Sequence, residues 1–229
     1  MCNRYHPTSR AHLNQRQLFD PQYQVQGPEY ALSIGPRQNG PFIKPTGEIV
    51  VGQWGMIRPG SPERPPMKNG RPLMTNNARS ETIATAPTYR DAWKKGQRCL
   101  IPADLFLEPY WGTGKNIWWQ FARADGAPWM IAGLWSEWTD RETGEVIPNY
   151  TMVTMNADDH PLMRLMHRPD HTRPETQQDK RSVVPLERSA WDAWMNGTAD
   201  EAMASLRLPP LEVYRHGAED PAKSVALPV

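Results

Sequence analysis

Hydrophobic and polar positions along this chain fall into short runs that alternate with a period of two. The runs Ile49 to Ile57, Arg98 to Leu107, Ile117 to Ala122, Trp129 to Trp138 and Tyr150 to Met155 read as strands, mostly set apart by Gly, Pro, Asn or Asp. A helical period is weaker. It predicts helices over Thr88 to Lys95, stopped by Gly96, over Arg188 to Met195, stopped by Gly197, and over Asp200 to Arg207, ending before Pro209. The expected class is therefore α+β, with more strand than helix. Pro36 to Gly47 and Pro59 to Pro72 are dense in proline and glycine and read as long surface loops within one domain, because strand-like sequence resumes directly after each.

Composition narrows this picture. A chain of 229 residues suits a single domain over 1–229 with a sizeable core. Its 24 prolines, roughly twice ordinary usage, exclude long helices and a helical solenoid. Ten tryptophans argue against disorder, since such side chains need burial or a flat partner. Two cysteines, Cys2 and Cys99, are too few for a disulfide scaffold or a four-cysteine zinc site. The N-terminus lacks the order of a signal peptide, and the longest apolar run, Trp129 to Trp135, is far short of a membrane span. A reducing, cytoplasmic setting is expected, with nucleoid association in a bacterium.

The net charge of +1 conceals an uneven distribution. From Gln53 to Arg98 there are nine basic residues and three acidic ones, whereas from Leu186 to Val229 there are four basic and seven acidic. Two readings stand: a basic face able to bind phosphates, or an ordinary solvated surface.

The second residue carries the most distinctive chemistry. Loss of Met1, favoured by the small side chain that follows, leaves Cys2 with a free α-amine beside a thiol. A 1,2-aminothiol reacts with an aldehyde in two steps, imine formation and then closure of a five-membered thiazolidine by the sulfur. An α-amine with a pKa of roughly 7.7 to 8.0 is partly neutral near physiological pH, which an unperturbed lysine at about 10.4 is not. By itself a terminal Met-Cys is equally an incidental cysteine. Cys99, in an apolar run, reads as a buried core thiol.

Company gives Cys2 its meaning. The blocks Met1 to Tyr5 (MCNRY), Trp54 to Gly60 (WGMIRPG), Asn77 to Thr82 (NARSET), Arg98 to Glu108 (RCLIPADLFLE), and Val153 to Asp158 (VTMNAD) followed by Leu162 to His167 (LMRLMH) resemble, in this order, the SRAP family. Members of that family crosslink to abasic sites in DNA. The likeness runs over 1–186, leaving 187–229 as a divergent helical and acidic part. It implies a central sheet curled into a pseudo-barrel flanked by short helices, no cofactor, no metal, and a monomer whose partner is single-stranded DNA containing abasic sites.

The resemblance makes Cys2 the nucleophile. It assigns Asn77 and Arg79 to holding the catalytic terminus and the DNA backbone, Glu108 and His167 to proton transfer, and Arg4 and Thr154 to substrate contacts. An amide that both donates and accepts, an arginine fork and a partly buried carboxyl suit these tasks. Each has a structural alternative: an ion pair of Arg79 with Glu81 or another acid, a paired carboxylate at Glu108, and plain strand propensity at Thr154. AP lyase activity, reversal of the crosslink and self-removal of Met1 are implied as well.

His160, His167 and His171 invite a metal reading, since the last two are four residues apart, but Pro169 between them breaks the helix that would align the rings. Alternation predicts that Trp118 and Trp119 face opposite ways, while Trp135, Trp191 and Trp194 suit packing. An exposed tryptophan on the basic face would stack on unpaired bases. Departures from the family pattern are Asn3 in place of a glycine, Pro109 after the glutamate, and about ten inserted polar residues between His167 and Arg181. They keep two other functions in view: a noncovalent single-strand-binding module, and a cysteine peptidase using Cys2 and His167.

Overall fold

The computed structural model describes residues 2–16, 24–64 and 67–229. In chain order the strands are β1 (Arg4–Pro7), β2 (Asn39–Ile43), β3 (Ile49–Trp54), β4 (Met67–Lys68), β5 (Arg71–Pro72), β6 (Asn77–Arg79), β7 (Arg98–Tyr110), β8 (Ile117–Arg123), β9 (Trp129–Thr139), β10 (Val146–Asn156), β11 (Arg181–Val183) and β12 (Tyr214–Ala218). Among the described residues four short α-helices accompany them: α1 (Arg10–Arg16), α2 (Arg90–Lys94), α3 (Trp191–Asn196) and α4 (Ala199–Ser205). The class is α+β and strand-rich, as the period-two pattern predicts.

Five strands close on themselves. β2 pairs with β3, β3 runs parallel to β10, β10 pairs with β9, β9 with β7, and β7 returns to β2 through Ile43 opposite Leu100. Closure removes the exposed edges that such strands would otherwise present. Alternate residues then serve two cores. Cys99, Ile101, Trp129, Ile131, Tyr150 and Met152 join one cluster. Leu100, Met130, Ala132, Leu134 and Val153 join another, which Trp93 of α2 and Trp194 of α3 cover. Burial on both faces explains why these runs are nearly continuously apolar.

The two longest strands change partners halfway. β7 pairs with β9 over Arg98 to Ala103 and with β8 over Phe106 to Tyr110, while β1 lies along its other edge from Ala103 to Leu107. β10 pairs with β9 as far as Met152, then with β11 from Thr154, and β6 runs parallel to it at Met152 to Thr154. The far halves of β7 and β10 therefore carry β1 and β6. Those two short strands hold the candidate site.

Pro36 to Gly47 is not the surface loop its composition predicts, because Asn39–Ile43 forms β2, buried from Gly40 onward. Gly40 sits opposite Gly52 of β3, and a side chain there would collide with the hydroxyls of Tyr5 and Tyr150, which meet at 2.5 Å. Glycine at this point admits close packing of two tyrosines. In Pro59 to Pro72 the loop reading holds better, since the described part carries only the exposed hairpin β4–β5, turned by Asn69 and Gly70 at positive φ. The helices are shorter than predicted: α2 begins only at Arg90, after turns around Pro87, and Arg188–Ala190 is a 3-10 turn leading into α3.

Barrel closure gives a direct stability prediction. A Cβ on Gly52 would lie 2.5 Å from the Pro148 carbonyl oxygen of β10, a backbone atom that cannot swing aside. Gly52→Ala should cost about 1 to 3 kcal/mol, read as a lower denaturant midpoint at unchanged slope.

Candidate functional site

Cys2 precedes β1 and is completely buried. Its Sγ lies 3.4 Å from the Arg4 carbonyl oxygen and 3.9 Å from that of Leu107 on β7. Burial, with the nearby Glu108 carboxyl as a second cause, pushes the thiol pKa well above its ordinary value, so the sulfur is held as S–H. The carbonyl of Cys2 is clamped by two amides: Asn77 Nδ2 donates to it at 2.7 Å and Asn76 Nδ2 at 3.0 Å. The second hydrogen of the Asn76 amide goes to Asn3 Oδ1 at 3.1 Å, so the residue that departs from the family's glycine is tied into the clamp.

The clamp is itself fixed. Asn76 O accepts from Trp54 Nε1 at 2.9 Å and from the Met152 backbone N–H at 3.0 Å, and the Tyr89 hydroxyl donates to Asn77 O at 2.9 Å. Asn76 is a site residue that the motif reading missed, since it lies one position ahead of the NAR block.

Glu108 follows Leu107 on β7 and is fully buried. Among the described residues neither of its carboxyl oxygens has a hydrogen-bond partner, and Oε2 lies 3.4 Å from His167 Nε2. Desolvation raises the Glu108 pKa to about 7 and lowers that of His167 to about 3. Burial thus drives both groups toward neutrality, and their contact is a carboxyl against a neutral imidazole rather than an ion pair. His167 Nε2 also lies 3.0 Å from the Arg181 carbonyl oxygen, which assigns the ring proton to Nε2.

His167 holds a left-handed backbone, φ +63°, which is uncommon for a residue with a Cβ. Its amide donates to Pro109 O at 2.6 Å, so the proline that replaces the family's aromatic supplies an acceptor. Lys180, buried, donates from Nζ to the carbonyls of Met166 and His167, each at 2.8 Å. Lys180 belongs to the inserted polar segment, where no motif marks it.

Of the other residues singled out by sequence, Arg4 stacks on Trp118 at 4.7 Å and pairs with Glu219 at 2.5 Å. Trp119 is buried while Trp118 is only partly covered, matching their predicted opposition. Arg79, half exposed, pairs at 2.9 Å with Asp179, whereas Glu81 is gripped by both arms of Arg181. Thr154 is buried beside Arg79, and its hydroxyl is 3.4 Å from Ala78 O. Trp194 packs as expected, with Nε1 bonded to Cys99 O. Among the described residues no group of three or more His, Cys, Asp and Glu could hold a metal ion, and no helix is long and apolar enough to cross a membrane.

Glu108 should show itself in stability against pH. Below the unfolded-state value near 4.5 its carboxyl is protonated in both states. Between there and about 7 only the unfolded chain ionises, so this group's contribution to stability falls as pH rises. Glu108→Gln removes that loss, and relative to the parent it should gain on the order of 1 to 3 kcal/mol on going from pH 4.5 to pH 8. Parallel stability curves for parent and variant would contradict a buried carboxyl with a raised pKa.

A family model described as SOS response associated peptidase (SRAP) matches residues 1–217, reaching past the divergence expected from 187 on. The chain is similar to the abasic site processing protein YoaM of Bacillus subtilis, 28% identical over 162 residues that cover 69% of this chain and 61% of that protein. It is also similar to the abasic site processing protein HMCES of Xenopus tropicalis, 28% identical over 131 residues that cover 48% of this chain and 37% of that protein. It therefore matches less than two thirds of the length of either curated relative. A crystal structure of a Bordetella bronchiseptica protein superposes with TM-score 0.79 at 36% identity, covering 99% of this chain and 100% of that one. A Bacteroides thetaiotaomicron protein shares the fold with TM-score 0.72 at 17% identity, covering 95% and 91%. With its ordered sequence blocks, its closed strand-rich sheet and a family model that spans nearly the whole chain, this protein belongs to the SRAP family.

Proposed function

We propose that this protein processes abasic sites in single-stranded DNA by forming a covalent crosslink through Cys2. The observation that carries the reading is the double amide clamp on the Cys2 carbonyl, set beside a buried carboxyl–imidazole pair. The clamp fixes the backbone of the one residue that can offer an amine and a thiol on adjacent atoms. Two curated relatives, YoaM and HMCES, are named as abasic site processing proteins.

Removal of Met1 exposes the Cys2 amine. The ring-opened sugar presents an aldehyde, whose carbon the neutral amine attacks to give a carbinolamine. Protonated Glu108 donates to the departing hydroxyl, water leaves, and a protonated imine remains beside the Glu108 carboxylate. The Cys2 S–H then adds across the C=N bond: sulfur bonds to the former aldehyde carbon, the C=N bond becomes single on a nitrogen that already carries its proton, and the thiol proton passes to the Glu108 carboxylate, restoring the acid. One water is lost in total and nothing is oxidised. A thiol held protonated suits this order, because it stays silent until the imine forms. That same protonation counts against a thiolate peptidase, which needs a lowered cysteine pKa. His167, neutral and locked by Lys180 and Pro109, holds its Nε2–H 3.4 Å from Glu108 Oε2, where it favours the carboxylate each time the proton leaves. The imine also opens a route to β-elimination, and closure reverses when Glu108 returns its proton to sulfur as the C–S bond breaks.

The test is incubation of protein confirmed by mass to begin at Cys2 with a single-stranded oligonucleotide carrying one abasic site. A heat- and detergent-stable adduct is expected, while salt-labile binding indifferent to the lesion would reduce the protein to a noncovalent module. Cys2→Ser should lose the stable adduct and keep an imine trappable by borohydride. The rate should be bell-shaped in pH, rising as the α-amine, with a pKa of roughly 7.7 to 8.0, loses its proton and falling as Glu108 ionises. Glu108→Gln should react about 100-fold more slowly and lose the alkaline limb.

A further inference from the structure

The inserted segment between His167 and Arg181 places a carboxylate against Arg79, the arginine that the family resemblance assigns to the DNA backbone. Asp179 Oδ2 lies 2.9 Å from Arg79 Nη1 and 4.0 Å from Arg173 Nη1, and Oδ1 lies 3.3 Å from Arg181 Nη1. Three guanidinium groups from β6, β11 and the inserted segment thus converge on one anion. Arg181 has its own partner in Glu81, at 2.7 and 2.8 Å, and Arg173 reaches Asp170 at 3.3 Å. Arg79 has Asp179 as its ion-pair partner among the described residues.

The position of this anion is informative. Asn77 and Arg79 are two apart on β6, so their side chains leave the same face about 7 Å apart. Asn77 grips the carbonyl of Cys2, hence Arg79 stands about one nucleotide's reach along the strand from the reacting residue. Asp179 is held there at some cost, since its backbone is left-handed at φ +55°. Its amide and that of Lys180 donate to the Asp158 carboxylate at 3.0 and 2.8 Å, which fixes the turn.

We infer that the Asp179 carboxylate occupies, in the free protein, the seat of the DNA phosphate next to the reacting sugar, so that this phosphate must displace it from Arg79 and Arg173. The inference rests on the proposed DNA reading and adds a determinant of affinity carried by the inserted segment. A phosphodiester presents two anionic oxygens, as a carboxylate does, and so fits the same fork of arginines. The displaced Asp179 keeps Arg181 as a partner. The contact costs affinity for every strand and makes capture depend on a phosphate placed beside the lesion.

The experiment is fluorescence anisotropy on a labelled single-stranded oligothymidylate with one tetrahydrofuran abasic analogue, which has no aldehyde and so reports noncovalent binding. Asp179→Asn is conservative here, because asparagine tolerates the left-handed backbone. It should bind about two- to fivefold tighter, the range an exposed ion pair commands. Its plot of log affinity against log salt should steepen by about 0.7, one further phosphate contact on a single strand. Both changes should vanish when Arg79→Gln is added. If Asp179→Asn folds poorly by melting temperature, Asp179→Ser serves the same comparison. Unchanged or weaker binding with an unchanged slope in a folded variant would overturn the inference, and so would tightening that survives Arg79→Gln. Failure of the parent protein to bind the oligonucleotide at all would instead overturn the proposed function.

Discussion

Two asparagine amides on the carbonyl of Cys2 decide what the rest of the site can do. A residue next to a chain terminus ordinarily frays, because little holds its backbone. Here Asn76 and Asn77 fill both lone pairs of one carbonyl, and those asparagines are in turn fixed by Trp54, Met152 and Tyr89. β6 is only three residues long and exists because it lies parallel to the far half of β10. β1 likewise depends on the far half of β7. The barrel thus supplies two long strands that outrun their barrel partners, and the overhangs carry the pieces that hold Cys2.

The same enclosure sets the electrostatics. Burial keeps the Cys2 thiol protonated, raises Glu108 to about 7 and lowers His167 to about 3. A carboxyl that exchanges its proton near neutral pH suits acid and base steps in turn, whereas a salt-bridged one would be fixed as the base. Leaving both carboxyl oxygens without a hydrogen-bond partner among the described residues is costly in a folded interior, and such cost is commonly found where chemistry is done. Lys180 stabilises the left-handed backbone that brings His167 to Glu108, with two hydrogen bonds from one buried ammonium.

Much of this was legible in the sequence because a long strand leaves an apolar run bounded by turn residues. β7, β9 and β10 announce themselves through continuous apolar runs, whereas their closure into a barrel was implied by the family resemblance alone. Strands of three to five residues, such as β1, β6, β11 and β12, are too short to show a period, and β2 hides behind the Gly-Pro composition that lets it pack against Tyr5 and Tyr150. Cys2, Asn77, Glu108 and His167 could be singled out because each sits in a recognisable block. Asn76, Lys180 and Asp179 could not, since their roles arise from what the fold sets opposite them. The +1 net charge said little, because Arg4, Arg79 and Arg181 each meet a carboxylate from a distant part of the chain.

The central claim is that amine and sulfur of one clamped residue act together on one aldehyde. Peptide mapping of the DNA adduct by mass spectrometry, after nuclease trimming and trypsin, tests it most directly. The account predicts that the residual deoxyribose mass lies on the peptide Cys2 to Arg4, with the Cys2 thiol blocked to alkylation and one water lost. An adduct on a lysine, with Cys2 still open to alkylation, would contradict it.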